Sequence, residues 1–352
     1  MRAAVTRRGV IVADDVAEPV PGAGEVLVSV RSCGICGSDL HTLIHAGTVL
    51  EMARAVGVDM PLDPERDFVM GHEFTAEVIE LGPGNDLSPV KVGDLVTSVA
   101  GLLTPDGPVL LGFSNDYPGA YAERLLLTAG LCMKIPEGLD HRRAALTEPI
   151  SVGRHAVNRV GHAQGDSALV YGCGPIGLAV IADLRRRGVE VIVAADFSPL
   201  RRSIAAAMGA STVVDPRVEP AIEAWRRVDG QRPLVIYEAV GVPGVLQQAI
   251  TDAPPRSRIC VVGVCMEEDR IHPMLAVVKE LDVCFVFGSD PIEFKESLDA
   301  ISQGTIDVAP MITGVVGIDG VGEAFAALRN PDEHVKVLVE PGGPPTPTRL
   351  EI

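Results

Sequence analysis

The 352-residue chain carries 47 acidic side chains against 30 basic ones, and a net charge of −17 argues against a nucleic acid or an anionic membrane surface as partner, because like charges repel. Hydrophobic residues make up 47% and aromatics only 4%, so Val, Leu, Ile and Ala must fill the cores, and two domains are the default at this length. Seven unevenly spaced cysteines, no apolar signal core before Asp14, and a most apolar run (Ala168 to Leu184) broken by glycines, Pro175 and Asp183 point to a cytoplasmic protein with neither disulfide framework nor membrane span.

Residues 1 to about 150 alternate short β-type runs (Val10–Val12, Glu25–Val30, Glu73–Glu80, Asp94–Val99, Arg124–Leu127) with the turn compositions PGAGE, GPGND and KVGD. This predicts a β-rich, barrel-like domain. Within it, Thr42 to Val58 has helical spacing and DMPLDPERD ends that helix.

At the end of the first strong strand stands Cys33-Gly34-Ile35-Cys36-Gly37-Ser38-Asp39-Leu40-His41. Its thiols, hydroxyl, carboxylate and imidazole could hold a metal, form a redox pair, or decorate a turn in which Ser38 or Asp39 caps the following helix. His72 and Glu73, in Gly71-His72-Glu73, could be ordinary strand-start residues, and Glu148 a surface carboxylate before a helix. Taken together with Cys36, they supply thiolate, imidazole and carboxylate from three segments, a donor set able to hold zinc with one position open for substrate.

From about 150 the texture changes to continuously apolar strands alternating with helices. Helix is expected at 151–160, 176–187, 200–208, 220–228 and 245–250, with strands at 167–171, 190–195, 212–214, 234–238 and 258–264. Such βαβ alternation means a buried parallel sheet with helices on both faces. Beyond Gly288, helices at 294–303 and near 321–328 and a strand at 335–339 are read as completing the first domain, and 341–352 (PGGPPTPTRLEI) as a disordered tail. The domains expected are therefore 1–150 with 289–340, and 151–288.

Gly172-Cys173-Gly174-Pro175-Ile176-Gly177 fits the dinucleotide fingerprint, with its strand before and helix after. Asp196 ends the next strand, 24 positions on (196 − 172), where a carboxylate can bind the ribose hydroxyls of NAD and repel a 2′-phosphate. Arg201 and Arg202 could instead neutralise that phosphate, so NADP is the less favoured cofactor. Val262 and Gly263, at the end of the 258–264 strand, are further cofactor-contact candidates.

CGICGSDLH, GHE, EPISVG, the GCGPIG–Asp196 unit and the ending GEAFAAL…HVKVLVEP, in this order, resemble the zinc-dependent medium-chain dehydrogenases, most closely their polyol (sorbitol-type) branch. The resemblance spans roughly residues 20 to 340. It implies a Rossmann doubly wound sheet plus a GroES-like catalytic domain, and transfer of a hydride between NAD and a secondary alcohol, polyol or sugar-like substrate. It further implies one catalytic zinc at Cys36 and His72 with Glu73 or Glu148, and Asp39 orienting the ligand histidine. Ser38 and His41 would carry the alcohol proton to solvent, and Arg201 would lie by the adenosine ribose. By the same resemblance the chain would be a homodimer or homotetramer, its sheet continuing across the dimer.

Two departures stand out. Leu95 to Tyr121, where many relatives carry four cysteines for a structural zinc, contains none, so at most one zinc per chain is expected. The gap from Cys36 to His72 is longer than usual in the polyol branch, which places an insertion at 42–67 and leaves the substrate open. A metal-free quinone or enone reductase of the same fold, a non-catalytic nucleotide-binding protein, and Cys33/Cys36 thiol redox chemistry are the alternatives, the last lacking the expected βαβ context.

Overall fold

The structure is a computed structural model that describes residues 1–84 and 88–350. In chain order its first elements are β1 (Arg2–Arg7), β2 (Val10–Asp15), β3 (Glu25–Gly34), α1 (Gly37–Ala55), β4 (Phe68–Val69), β5 (Glu73–Leu81) and β6 (Leu95–Ser98). Next come β7 (Gly101–Thr104), β8 (Gly107–Leu110), β9 (Arg124–Thr128), β10 (Cys132–Lys134), α2 (His141–Ala144) and α3 (Thr147–Arg159). A βαβ series follows: β11 (Ser167–Tyr171), α4 (Pro175–Arg186), β12 (Ile192–Ala195), α5 (Pro199–Ala207), β13 (Thr212–Val214), α6 (Ala221–Val228) and β14 (Leu234–Glu238). It continues through α7 (Val245–Asp252), β15 (Arg258–Val261), α8 (Pro273–Val278), β16 (Asp282–Phe285) and α9 (Pro291–Ser302). The chain ends with β17 (Ile312–Val316), α10 (Val321–Ala327), β18 (Lys336–Val339) and β19 (Thr348–Arg349).

The chain divides into two compact units, Met1–Glu148 with Ile312–Asn330 and Lys336–Ile352, and Pro149–Met311 with Pro331–Val335. In the first, β3 is the central strand, pairing antiparallel with β5, β9 and β18. Its alternation EVLVSV buries both faces, which is why no polar face is readable in it. Register sets Gly34 opposite both Glu73 and Leu338, so the end of β3 meets the start of β5 and the middle of β18. Tyr121 packs edge-to-face on Phe325 at 6.1 Å in the core beneath.

The second unit is a six-stranded, wholly parallel sheet of order β13-β12-β11-β14-β15-β16. The winding reverses between β11 and β14, the switch point outside which open α/β sheets bind ligands. Its inner strands β11, β12 and β14 are buried on both faces, as expected for a parallel sheet covered by helices.

Several expectations need correction. The helix expected from Thr42 begins at Gly37, and Cys36 occupies its N-cap rather than Ser38 or Asp39. Asp39 instead accepts from the Cys36 N–H at 3.0 Å, so the cap runs backwards from the third helical residue. The return to the first unit comes at Ile312 rather than at 289. Helix α9 belongs with the second unit because Glu293 accepts from His155 Nδ1 (2.7 Å) and Asn158 Nδ2 (2.6 Å) of α3. Residues 341–350 are not a disordered tail. Gly317 donates to the Pro344 carbonyl, β19 pairs antiparallel with β17, and the Leu350 N–H reaches Thr313 O at 3.1 Å. Prolines exclude a central strand, yet extended chain can still cover an open edge. Part of the GPGND turn, at 85–86, lies outside the described residues, as do 351–352.

Candidate active site

The end of β3 and the start of α1 gather the first constellation. Asp39 is fully buried, and its Oδ2 accepts from the Cys36 amide and from Tyr121 Oη at 2.5 Å, while Oδ1 faces His72 Nδ1 at 3.4 Å. Burial alone would neutralise this carboxyl. The His72 charge and the bonds from His72, Tyr121 and Cys36 outweigh it and hold Asp39 below the usual carboxylate range. The same contact works on the partner: burial disfavours imidazolium, but Asp39 and then Cys36 raise His72 well above its ordinary value. His72 Nε2 stands 3.4 Å from Ser38 Oγ, and its ring tilts against Phe113 at 5.7 Å.

Burial and the Glu73 charge push the Cys36 thiol up, and His72 pulls it back part of the way. Glu148 lies in the first turn of α3, and burial, then Glu73, push its carboxyl up to about 7. Negative charge is thus penalised at both the Cys36 thiol and the Glu148 carboxyl, and a divalent cation would relieve that penalty. Among the described residues, however, no three His, Cys, Asp or Glu side chains already stand as a set able to hold a metal ion. The donors fit zinc in kind, and of the two glutamates Glu73 is already engaged by another side chain.

Both Glu73 oxygens are taken by Lys336 Nζ, at 2.8 and 2.7 Å, and Lys336 also donates to Ile35 O at 2.9 Å. Both side chains are completely buried. Space for this carboxylate exists only because residue 34 is glycine: a Cβ there would lie 2.1 Å from Glu73 Oε2. Lys336 escaped the sequence reading, although a lysine within the apolar run VKVLV demands a buried partner and was the available signal. Tyr121 gave no signal at all; a lone tyrosine at a strand margin is ordinary core.

His41 lies on α1, half-buried, and burial together with nearby His45 holds its imidazole below the ordinary value, so it is neutral at physiological pH. Among the described residues no hydrogen bond joins it to Ser38. Cys33 is buried beside Gly34 O, and burial pushes its thiol well up, which makes it a poor redox partner for Cys36. The insertion is pinned rather than loose. Asn115 donates to Asp63 O (3.0 Å) and Asp67 O (3.1 Å) and accepts from the Asp63 amide (2.6 Å), binding 61–67 to the segment that carries Phe113.

The second constellation lies at the switch point of the parallel sheet. Gly172 has φ +87°, and a Cβ on Gly177 would sit 1.9 Å from Gly172 O, so these two glycines let β11 and α4 approach. A Cβ added at Gly174 would meet only Arg201 Nη1, at 4.0 Å, and α4 starts there without a side-chain cap and with Pro175 at its first position, the kind of helix start that takes a pyrophosphate. Asp196 closes the turn from below, accepting from Cys173 N and Ser198 N, both at 2.8 Å. Arg201 Nη1 lies 3.9 Å from Asp196, and its Nε is buried without a partner. Arg202 Nη1 is already engaged, donating to Asp196 O, Phe197 O and Asp215. Val262 and Gly263 follow the end of β15, their amides donating to Glu238 O at 2.9 and 2.8 Å.

A glycine-rich turn over a carboxylate at a sheet switch point, with a separate thiol–imidazole–carboxylate centre, defines a nicotinamide-dependent oxidoreductase of the metal-assisted class. Residues 22–137 match the alcohol dehydrogenase GroES-like domain and residues 175–303 the zinc-binding dehydrogenase model. The chain is 32% identical to (R,R)-butanediol dehydrogenase of Bacillus subtilis (strain 168) over 93% of this chain and 96% of that one. Sorbitol dehydrogenase of the same organism is 28% identical over 92% of each. The crystal structure of 2R,3R-butanediol dehydrogenase from Bacillus subtilis superposes with TM-score 0.84, at 31% identity, covering 97% of this chain and 99% of that one. A zinc-binding dehydrogenase from Sinorhizobium meliloti 1021, solved bound to NADP, superposes at 0.82 with 27% identity over 97% and 99%. The chain belongs to the zinc-type medium-chain alcohol dehydrogenase family. It is an enzyme that uses zinc and a nicotinamide cofactor to move a hydride between an alcohol and a carbonyl compound.

Proposed function

We propose that the enzyme oxidises secondary alcohols, polyols or sugar-like diols reversibly with NAD, using one zinc per chain held by Cys36, His72 and Glu148. The observation that carries this reading is the buried Lys336–Glu73 pair: with both Glu73 oxygens bound to the ammonium, Glu148 is the carboxylate left to complete the set. The expectation of Glu73 as an alternative ligand gives way to that of a buried charge lying behind the site. One zinc rather than two follows from the Cys-free stretch 95–121, occupied here by the β7–β8 hairpin.

When bound, zinc supplies Lewis acidity at the alcohol oxygen and the nicotinamide accepts the hydride. The chain's own residues do the rest. Asp39 holds the His72 ring through Nδ1, a partner whose loss typically costs about 10–100-fold in affinity or activity. Ser38 Oγ, next to His72, takes the hydroxyl proton, and neutral His41 passes it on to solvent. Asp196 favours NAD by binding ribose hydroxyls and repelling a 2′-phosphate, and the engagement of Arg202 Nη1 leaves Arg201 as the arginine that could answer such a phosphate. Phe113 and the insertion tied to it by Asn115 border the substrate.

Polyol or vicinal-diol chemistry is favoured by the relatives named for butanediol and sorbitol. A homodimer is favoured by the edge strand β16, beside which Phe285 (65% exposed) and Phe287 (87%) lie open with Val277 and Val278. Seven free thiols suit the cytoplasm, and no helix among the described residues is long and apolar enough to cross a membrane. The test is NAD reduction across secondary alcohols, diols and polyols, with metal content measured on the same sample before and after chelation. Activity that follows a single restored zinc supports the proposal. Activity surviving complete metal removal overturns it in favour of a metal-free reductase.

A further inference from the structure

Asp39 aims His72, and Tyr121 in turn holds Asp39. The stretch that carries the phenol is laced to the stretch that leads into His72: the Gly119, Ala120 and Tyr121 amides donate to Val69 O, Gly71 O and Met70 O at 2.9, 2.9 and 3.0 Å. Gly71, at φ +103°, lets the ring pass, since a Cβ there would lie 2.7 Å from Tyr121 Cδ1. Phe325 meets the same ring edge-to-face. The hydroxyl therefore stands at a fixed point, and it has one proton to give. Asp39 Oδ2 is 2.5 Å away and Gly34 O 3.4 Å, so the proton goes to the carboxylate. The Cys36 amide donates to the same oxygen at 3.0 Å. Two donors on Oδ2 pin the rotation of the carboxylate and leave Oδ1 to face His72 Nδ1 at 3.4 Å.

We infer, building on the zinc site proposed above, that Tyr121 is a positioning residue for the metal centre: its hydroxyl fixes the Asp39 carboxylate and, through it, the His72 imidazole as a ligand. Backbone, phenol and carboxylate close a loop in which the segment leading into His72 also holds the group that orients the His72 ring. With the hydroxyl gone, the Cys36 amide is left as the single one of these two donors on Oδ2, and the carboxylate can turn about that one bond. Every donor to the metal remains, but one is held less firmly. The ring of Tyr121 serves packing, and its oxygen serves the site.

Tyr121→Phe separates the two, because phenylalanine keeps a ring against Phe325 and removes only the hydroxyl. Zinc-loaded parent, Tyr121→Phe, Asp39→Asn and the double variant are each titrated with a chromophoric chelator at one pH, and each is unfolded in urea with the chelator present. Tyr121→Phe is expected to hold zinc about 10-fold more weakly, the low end of what losing a partner behind a ligand histidine costs, and kcat falls with it while the KM for NAD stays unchanged. In the Asp39→Asn background the same change adds less than about twofold, since the carboxylate it acts through is gone. A Tyr121→Phe enzyme with the parent's zinc affinity, however destabilised without metal, reduces Tyr121 to packing and overturns the inference, as does an equal loss in both backgrounds. A parent that takes up no zinc overturns the zinc site itself, and this role with it.

Discussion

The buried Lys336–Glu73 pair invites the most demanding test. At 2.7 Å and an effective dielectric of 20, their attraction is 332/(20 × 2.7), or about 6 kcal/mol. Removing each charge from water costs several kcal/mol, so the intact pair contributes little net stability. Breaking it is different, because one unpaired charge then stays buried. Lys336→Met is expected to cost about 3–5 kcal/mol, and Glu73→Leu a similar amount, each lowering the melting temperature by about 6–20 °C. The double variant Lys336→Met/Glu73→Leu should recover to within about 1–2 kcal/mol of the parent, since it leaves no charge in the core. Equilibrium urea unfolding of all four proteins, with and without zinc, measures the cycle. If the double variant is as unstable as the sum of the singles, the two side chains do not act as one electrostatic unit. The argument that Lys336 keeps Glu73 off the metal then fails with it.

Three further outcomes follow from the geometry. Asp39→Asn should lower zinc retention and kcat/KM by about 10–100-fold with little loss of fold, because His72 loses its anionic partner; zinc titration and kinetics at one pH decide it, and unchanged values refute the positioning role. Asp196→Asn should raise the KM for NAD by about 10–150-fold, equivalent to losing a charged hydrogen bond of about 1.5–3 kcal/mol, and narrow the preference over NADP; a preserved preference would move specificity elsewhere. His162 gives a pH signature in the second unit. Burial, opposed by Asp166 and aided by Arg258 and Arg187, lowers its imidazole to about 4. Its folded value lies below the unfolded 6.5, so the unfolded chain binds the proton first and stability drops as pH falls from about 6.5 to 4. A shift of 2.5 units would be about 3.4 kcal/mol, discounted to about 1–2 for a ring that solvent partly reaches. His162→Gln should flatten that limb of the pH–stability curve, and an NMR titration giving His162 an ordinary value would contradict it.

Local chemistry makes the two candidate sites legible in the chain. A glycine turn needs its glycines where strand, helix and phosphate crowd together, and Gly172, Gly174 and Gly177 occupy those points in the fold. The helix-opening cluster at Cys36, Ser38 and Asp39 is legible for the same reason: its partners lie within a few residues, as the Cys36–Asp39 bond does. Boundaries were less secure. Nothing in the composition of α9 says which unit it joins, because its attachment runs through Glu293 to His155 and Asn158, over 130 positions away.

By itself the sequence determined the class: the alternation of apolar strands and helices, the dinucleotide turn with Asp196, and the thiol, imidazole and carboxylate donors at Cys36, His72 and Glu148. These depend on residue type and short spacing, which the chain states directly. Only the tertiary structure decided what the buried charges do. Pairing of β3 with β5 and β18 brings Lys336 to Glu73 across 263 positions, and contacts with Met70 and Ala4 hold Tyr121 where it reaches Asp39 across 82. It also made a strand of a proline-rich tail, because an open edge at β17 was there to be covered. Long-range pairing leaves no local trace, so the roles of identical side chains were set by where the sheet placed them.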